Sequence, residues 1–260
     1  MKIAMLISGR ATRYEVALTR VLNETELDIH LFMSINDESC LYYDKMKEAL
    51  GDKLKGLRFE KFQIPENFHN KNPNTTMPKN VLSMLYNDNR AFNMASSYSD
   101  YDVYVKSRAD LYTPSLPDFT PKENTIHSII PHVQSSAFLY DKVTNKMSED
   151  NRKPWVSDAF VYGDYDSMKK YCSAYEHCIS TNLSLDGGYP VHFETVITDN
   201  CHARELNVEF FDHPYQLDKN RKMFDTDPDP RSPIPGSVAP IDIKKSKEID
   251  IAFSPWEDKK

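Results

Sequence analysis

The 260-residue sequence lacks the features that mark membrane or nucleic-acid-binding proteins. No apolar run approaches the ~18 residues of a membrane span, so we expect no transmembrane segment. There is no basic excess either, because 32 Lys and Arg stand against 39 Asp and Glu, a formal net charge of −7. Nucleic-acid-binding surfaces are normally basic, so no nucleic-acid partner is expected. A nucleotide is not excluded, because a phosphate group needs only local positive charge.

Cysteine is scarce and carries no metal pattern. The four cysteines include no CxxC pair and match no zinc spacing; they are Cys40, Cys172, Cys178 and Cys201. They predict buried free thiols in a reducing compartment. The apolar run Ile3 to Ile7 is broken at once by Ser8-Gly9-Arg10 and is too short for a secretory signal. A cytoplasmic location is therefore expected.

Proline is rare in most of the chain and concentrated at its end. Seven of the 16 prolines lie between Pro214 and Pro255, among Asp-Pro and Ser-Pro pairs and many lysines. Such composition is typical of an extended segment rather than of a packed domain. We therefore predict one domain over residues 1–213 and a Pro-rich tail or linker over 214–260, packing on the body or partly flexible.

Strand and helix patterns alternate through the first half. The predicted strands are Lys2 to Ile7, Asp28 to Ser34, Leu57 to Phe62 and Asp102 to Lys106. The predicted helices begin at the capping box Thr12 to Glu15 and continue with Leu41 to Leu50 and Val81 to Tyr98. This order predicts an α/β fold, with a mostly parallel central sheet flanked by helices.

The second half is less regular. We predict a short strand over Thr125 to Ile130 and irregular chain over Ser135 to Pro154. The further elements are a strand Val156 to Gly163 that carries Asp158, a helix Tyr165 to Glu176, a helix that starts near Phe193, and a last strand Asn207 to Phe211.

Polar residues follow three of the predicted strands. They are Ser8-Gly9-Arg10, Asn36-Asp37 and Ser107-Arg108-Ala109-Asp110. In an open α/β sheet, ligands bind at the carboxyl ends of the strands. A helix that starts after the first strand would also offer backbone N–H groups to an anion, beside Arg10 and Arg13. The alternatives are a helix cap for Asp37, and for Asp110 an ion pair with Arg108 or Lys106.

Four motifs, in order, resemble a known family. They are Lys2 to Arg10, the helix Ser83 to Met94 running into Tyr101 to Leu111, Ser157 to Gly163 with the following Met168 and Tyr171-Cys172, and His192-Phe193-Glu194. Over about residues 1 to 212 the chain resembles the small GT-A-fold nucleotide-sugar glycosyltransferases. These are encoded by large DNA viruses of algae (chlorella viruses) and by bacterial surface-polysaccharide clusters.

The resemblance implies a GT-A sheet, a nucleoside-diphosphate sugar donor, UDP-linked by preference, a glycan acceptor and Mn²⁺ or Mg²⁺. If the protein is viral, its compartment would be the host cytoplasm. The family's metal motif is Asp-x-Asp, and the matching residues here are Arg108-Ala109-Asp110. Asp110 would be the surviving metal ligand, with His192 either completing the metal site or structural. Arg108 puts metal dependence in doubt, because a guanidinium can itself neutralise a diphosphate.

The expected donor-binding residues come from the first loops, the long helix and the metal motif. They are Ser8, Gly9, Arg10, Arg13, Asn36, Asp37, Arg90, Arg108 and Asp110. Asn36 and Asp37 would lie near the base or ribose. Arg90 would reach the phosphates, or else be an ordinary solvated helix residue.

Two carboxylates compete for the role of general base. Asp158 is predicted within an apolar strand, where burial would raise its pKa, and Glu194 is predicted at a helix start. Transfer with inversion needs such a base, whereas transfer with retention needs none and would leave both carboxylates as binding groups.

Two other functions are weighed against glycosyl transfer. A catalytically inactive nucleotide- or glycan-binding module is favoured by the missing first aspartate of the metal motif. A sugar nucleotidyltransferase would need a longer glycine-rich loop with a lysine after the first strand, where this chain has Ser8-Gly9-Arg10-Ala11-Thr12-Arg13. The donor sugar, the acceptor and the stereochemistry have no signal in the sequence.

Overall fold

The computed structural model describes most of the chain up to Leu217. The described residues are 1–9, 22, 26–36, 43–68, 78–109, 111–113, 115–130, 136–141, 146–184, 191–213 and 216–217. The helix predicted from the Thr12 capping box and nearly all of the predicted tail lie outside them.

Eleven strands are described. They are β1 Lys2–Gly9, β2 Asp28–Asn36, β3 Leu54–Glu60, β4 Val103–Arg108, β5 Leu111–Tyr112, β6 Thr125–Ile129, β7 Ser136–Asp141, β8 Lys146–Pro154, β9 Phe160–Gly163, β10 Asn207–Phe211 and β11 Gln216–Leu217. Seven of them form the central sheet, in the order β10-β6-β9-β4-β1-β2-β3. Two small sheets, β7 with β8 and β11 with β5, complete the set.

Five α-helices are described. They are α1 Tyr43–Leu50, α2 Pro78–Tyr98, α3 Tyr165–Cys172, α4 Ala174–Ser184 and α5 Phe193–Ala203. Gly51 ends α1 with φ +52°, a conformation that glycine adopts without strain, and starts a 3-10 turn. None of these helices combines the length and apolarity needed to span a bilayer.

The central sheet is mostly parallel, which confirms the predicted fold class. β1 runs parallel to β2 and β4, β2 to β3, and β6 to β10. β9 lies between β4 and β6 and runs antiparallel to both. Six strands of this sheet therefore share one direction, and β9 enters it from the opposite edge.

Helices cover both faces of the sheet. On one face, Leu6, Phe32 and Tyr104 belong to the buried cluster that includes residues of α2 to α5. On the other face, Ile3, Ile7 and their neighbours belong to a cluster that includes residues of α1. Parallel strands alternate in side-chain direction, so a near-continuous apolar run is buried on both sides.

The strands that lead to the predicted site are longer than the sequence suggested. β1 continues through Ser8 to Gly9 and β4 continues to Arg108, with Ser8 directly opposite Arg108. Ser8 and Gly9, expected to begin a glycine turn, are therefore part of β1. Sequence patterning ends a strand where polar side chains begin, but the backbone ladder is satisfied whatever the side chain.

Four expectations for other segments were wrong. The third strand covers Leu54–Glu60 rather than 57–62. Residues 135–154, expected to be irregular, contain the antiparallel pair β7 and β8. The strand expected over 156–163 starts at Phe160, so Asp158 lies in the bend before it. The helix expected over 165–176 is divided at Ser173 into α3 and α4.

The described cysteines match their prediction. Cys172, Cys178 and Cys201 are free and buried. Burial raises the pKa of all three thiols, which disfavours the reactive thiolate. Cys40 lies outside the described residues.

We predict that Gly56→Ala destabilises the β2–β3 contact. A Cβ at position 56 would lie 2.8 Å from Phe32 Cδ1, closer than carbon atoms pack. The expected loss is about 1–3 kcal/mol in the free energy of unfolding, measured by denaturant titration.

Gly51→Ala is the control for this prediction, because no atom lies within 4 Å of its added Cβ and only its φ of +52° opposes the change. Phe32→Leu should offset part of the Gly56→Ala loss and none of the Gly51→Ala loss. Equal, additive effects in both backgrounds would contradict the contact.

Candidate functional site

The strand order reverses at the carboxyl ends of β1 and β4. From β1 the chain adds β2 and then β3 on one side, and it returns with β4 on the other side. Such a reversal is the place where open α/β sheets bind their ligands. Ser8 and Arg108 face each other in register at this point, and we call their surroundings the switch-point site.

The reversed direction of β9 brings Asp158 to the same place. β9 pairs with β4 so that Phe160 lies opposite Ser107, and the residues before β9 lie beside the end of β4. Arg108 Nη1 lies 2.6 Å from Asp158 Oδ2, with the two side chains 20% and 15% exposed. Two residues predicted separately from the sequence are therefore ion partners, which stabilises the Asp158 anion against the expected effect of burial.

Lys106 contributes a second, fully buried cation. It lies two residues before Arg108 on β4, and its Nζ donates a hydrogen bond to the main-chain oxygen of Asp158. The same Nζ lies 5.6 Å from the centroid of the Phe193 ring at the start of α5. Lys106 thereby connects β4, the bend before β9 and α5.

Asp88 on α2 contributes a buried carboxylate. It is 3% exposed, and neither of its oxygens has a hydrogen-bond partner of ordinary geometry in the part of the chain that the structure describes. Burial raises the pKa of Asp88, while the Lys106 ammonium and the Ser8 hydroxyl oppose that rise. The buried Ser8 hydroxyl lies close enough to Asp88 to lower its pKa, but among the described residues the two side chains do not reach full hydrogen-bond geometry.

A polar strip continues from this point along α2. Ser34 lies opposite Ser8 in the sheet, and its hydroxyl donates to Asn87 Oδ1 at 2.8 Å. Asn87 Nδ2 in turn donates to Ser83 Oγ at 3.4 Å. These buried polar groups replace the apolar core at the carboxyl edge of the sheet, and hydrogen bonding within the strip offsets the cost of burying them.

Hydrogen bonds fix the segment that carries Asp158. The Val156 N–H donates to Thr198 Oγ1 on α5 at 3.0 Å, and the Ser157 N–H donates to Ser128 Oγ on β6 at 3.0 Å. The two residues before Asp158 are thus held by α5 and by β6, in addition to the contact of Asp158 itself with Arg108. Such support is what a site needs if its side chains are to keep one geometry.

His192 and Glu194 lie together at the start of α5. His192 Nδ1 is 3.2 Å from Glu194 Oε2, and the side chains are about a third and a quarter exposed. The His192 ring stacks on Trp155, with ring centroids 4.9 Å apart. The positive end of the helix favours the ionised form of Glu194. Phe193, between them, joins this pair to Lys106.

The structure places the other predicted residues as follows. Arg90 lines a groove between β3 and α2. Gly9 and Asn36 end β1 and β2, although the side chain of Asn36 is outside the described part. Arg10, Arg13, Asp37 and Asp110 are not among the described residues.

A divalent metal does not fit the described residues by themselves. They contain no group of three or more His, Cys, Asp or Glu side chains arranged to hold an ion. At the switch point, Asp158 is engaged by Arg108, and Asp88 lies in the field of Lys106. The expected metal site therefore depends on Asp110, which lies outside the described residues.

Sequence reasoning missed Asp88 and the full role of Lys106. A signal for Asp88 was available in the helix. The apolar stripe of Val81, Leu85, Phe92 and Ala95 leaves six residues between Leu85 and Phe92. Asp88 lies among them at helical spacing, three positions after Leu85 and four before Phe92.

Comparisons with known proteins give no family. No protein-family model matches the chain, and no curated protein sequence does. Among solved structures, the chain is similar to the inositol-1-phosphate CTP transferase from T. maritima, with a TM-score of 0.47, 13% identity, and 98% of this chain and 97% of that chain covered. It is also similar to the WbbM bifunctional glycosyltransferase in its apo form, with a TM-score of 0.44, 10% identity, and 81% of this chain and 38% of that one covered. Similarity at this level assigns no function, and the fold stands on the strand order and register.

We predict that Asp88→Asn leaves the protein more stable at neutral and alkaline pH. Because the pKa of Asp88 is raised above its ordinary value of 3.8, its stabilising contribution is complete below that value and is lost as pH rises through the folded pKa. Asparagine removes this loss. The gain in melting temperature should grow from about pH 4 to about pH 8, measured by calorimetry.

Asp52→Asn, in the exposed turn after α1, is the matched control and should show no such trend. Lys106→Met should cost more stability with Asp88 present than in the Asp88→Asn background, because it removes the cation that opposes the buried carboxylate. A stability loss for Asp88→Asn that increases with pH would instead show a fully paired carboxylate.

Proposed function

We propose that the protein is a nucleotide-sugar glycosyltransferase, which transfers a sugar from a UDP-linked or related donor to a hydroxyl group of a glycan acceptor. The observation that supports it most is the meeting of Lys106, Arg108 and Asp158 with the buried carboxylate of Asp88, which lacks a well-formed hydrogen bond to the described residues, at the point where the strand order reverses. Such a set of cations and acceptors suits a ligand that carries both phosphate and hydroxyl groups.

Arg108 is proposed to bind the donor diphosphate. A guanidinium presents several N–H donors in one plane, which suits two phosphate oxygens at once. When the bond between the sugar C1 and the diphosphate oxygen breaks, negative charge grows on that oxygen, and a fixed cation stabilises it most at that stage. Asp158 holds Arg108 in place at 2.6 Å and is proposed as its positioning residue.

Asp88 and Ser8 are proposed to accept hydrogen bonds from donor hydroxyl groups. A buried carboxylate that lacks well-formed hydrogen bonds to its described neighbours costs free energy. That cost is offset when a ligand supplies the missing N–H or O–H groups. The two side chains lie against the end of β1, where a nucleotide bound at the switch point would pass.

Glu194 is proposed as the general base of an inverting transfer. The acceptor oxygen would form a bond to C1 of the sugar, the diphosphate would leave with the old bonding pair, and the acceptor proton would pass to Glu194. Glu194 suits this role better than Asp158, because the Asp158 carboxylate is already engaged by the Arg108 guanidinium at 2.6 Å. His192 is proposed to lie beside the acceptor with it, since its Nδ1 is 3.2 Å from Glu194 Oε2.

We propose that Mn²⁺ or Mg²⁺, where bound, is held by Asp110, with His192 as the second ligand that the family resemblance implies. When bound, such an ion would neutralise diphosphate charge alongside Arg108. The alternative function is an inactive nucleotide- or glycan-binding module. The Arg108–Asp158 ion pair favours it, because this pair removes one of the two candidate bases.

Nucleoside diphosphates and their sugars should raise the melting temperature of the full chain, and Arg108→Gln should weaken their binding about tenfold or more. A hydrogen bond to a charged group contributes about 1.5–3 kcal/mol, which supports this magnitude. Titration calorimetry with UDP and GDP, with and without Mn²⁺, measures the change. Asp110→Ala should abolish whatever part of the affinity depends on Mn²⁺.

Arg204→Gln, at an exposed position after α5, is the control and should bind nucleotides as the wild type does. If no nucleotide changes the melting temperature, the proposed function is wrong. Stabilisation by nucleotide sugars, with neither transfer to any acceptor nor hydrolysis of the donor, would favour the binding module.

Glu194→Gln should lower kcat by about 10²–10⁴-fold while leaving the donor affinity unchanged, because a general base acts on the acceptor proton. Asp158→Asn should instead weaken donor binding, because it releases Arg108. Steady-state kinetics combined with calorimetry separates the two effects. The opposite pattern would exchange the two roles.

A further inference from the structure

A concave surface lies between β3 and α2, and none of its described lining residues belongs to the switch-point site. Its volume is about 560 Å³, within the range of about 300–1,000 Å³ that is usual for ligand sites. We call it the β3–α2 groove. The polar residues that line it are Lys55, Arg58, Arg90, Asn93, Ser97 and Tyr98.

The groove is positively charged in an acidic protein. Three of its ten described lining residues are cations and none of the ten is an acid, whereas the whole chain has a net charge of −7. Lys55 and Arg58 come from β3, and Arg90 comes from α2, where its Cζ lies 5.8 Å from the centroid of the Tyr86 ring. Like charges concentrated in one concavity repel one another and attract an anionic ligand.

The shape of the groove suits an extended ligand with hydroxyl groups. Four consecutive residues of β3, numbers 55–58, line it, and β3 is the outermost strand of the described sheet at that side. Gly56 makes room for the Phe32 ring, which also lines the groove, since a Cβ at position 56 would collide with that ring. Opposite β3, α2 supplies the amide of Asn93, the hydroxyl of Ser97 and the half-exposed Tyr98 ring.

We propose that the β3–α2 groove binds an anionic oligosaccharide, whose carboxylate or sulfate groups meet Lys55, Arg58 and Arg90. Such a chain would be the part of the acceptor glycan remote from the reacting hydroxyl, and this assignment alone rests on the proposed function. Binding a remote part of a substrate supplies free energy that positions the reacting end. Phe32 in the groove and Leu6 in the sheet are register partners, two residues before Ser34 and Ser8. The groove is therefore near the switch-point site along the strands.

His30 provides a reporter beside the groove. Its pKa is lowered by burial and further by Lys55 and Lys2, while Asp28 opposes them. The ring of His30 lies 6.0 Å from that of Tyr98, one of the groove residues. An anion bound at Lys55 would cancel part of that cation's effect and so raise the His30 pKa, which an NMR titration of the ring proton measures.

The test measures binding to the full chain by calorimetry, with the His30 titration in parallel. The probes are an oligogalacturonate, a sulfated dextran oligomer, a neutral malto-oligosaccharide and an oligoglutamate of equal charge. The variant is Lys55→Glu/Arg58→Glu. The matched control is Lys79→Glu/Lys153→Glu, which makes the same change in charge at exposed positions outside the groove.

At least one anionic oligosaccharide should bind the wild type and raise the His30 pKa. Its affinity should fall about tenfold or more in the groove variant and stay near that of the wild type in the control. A stronger result with the carboxylated or with the sulfated probe identifies the anionic group.

Absence of binding, equal loss in the control, or equally tight binding of the neutral sugar would overturn the proposal. Equal binding of oligoglutamate would replace the glycan by an acidic peptide and would also overturn it. UDP affinity, measured on the same samples, separates the two hypotheses. Binding of the oligosaccharide without any nucleotide would sink the transferase and keep the groove, and the reverse would sink the groove alone.

Discussion

The switch-point site depends on the contacts of one buried group, the ammonium of Lys106. It is fully enclosed, and an ammonium without partners is costly in a protein interior. Its hydrogen bond to the Asp158 main chain fixes the bend before β9, and its contact with the Phe193 ring fixes the start of α5. Three elements distant in sequence thus meet at one cation, and Arg108, Asp158 and Glu194 take their positions from this meeting.

Within the described structure, the arrangement around Lys106 leaves the buried Asp88 carboxylate without well-formed hydrogen bonds. A core strip that ends in a carboxylate without hydrogen-bond partners, in the described structure, is less stable than an apolar or amide strip would be. Buried polar groups of this kind are common where a ligand completes the hydrogen bonds. The Asp88 carboxylate therefore lowers the stability of the protein at the carboxyl edge of β1. This is a physical reason to expect a ligand there, and it does not depend on any resemblance to other proteins.

The first half of the fold could be predicted because its alternation of strands and helices is visible in side-chain periodicity. In the second half, the predicted strands Thr125 to Ile130 and Asn207 to Phe211 and the predicted helix start near Phe193 are found as β6, β10 and α5. The reversed direction of β9 was not predicted, because direction has no signature in a four-residue strand. β7 and β8 escaped prediction because backbone pairing, which periodicity does not report, makes them strands. At the site, the polar residues that follow the apolar runs of β1 and β4 were recognised in the sequence, although both strands continue two residues beyond their predicted ends. The partnership of Arg108 with Asp158 could not be, since it arises from the reversed strand, which joins residues 50 positions apart.

The central claim is that a nucleoside-diphosphate sugar binds at the carboxyl ends of β1 and β4. A crystal structure of the full chain, soaked or co-crystallised with its tightest-binding donor, tests it most directly. We predict the diphosphate within hydrogen-bond distance of the Arg108 guanidinium, and a ligand O–H or N–H group donating to Asp88. A donor bound in the β3–α2 groove or elsewhere, with Asp88 still lacking a partner, would contradict this account.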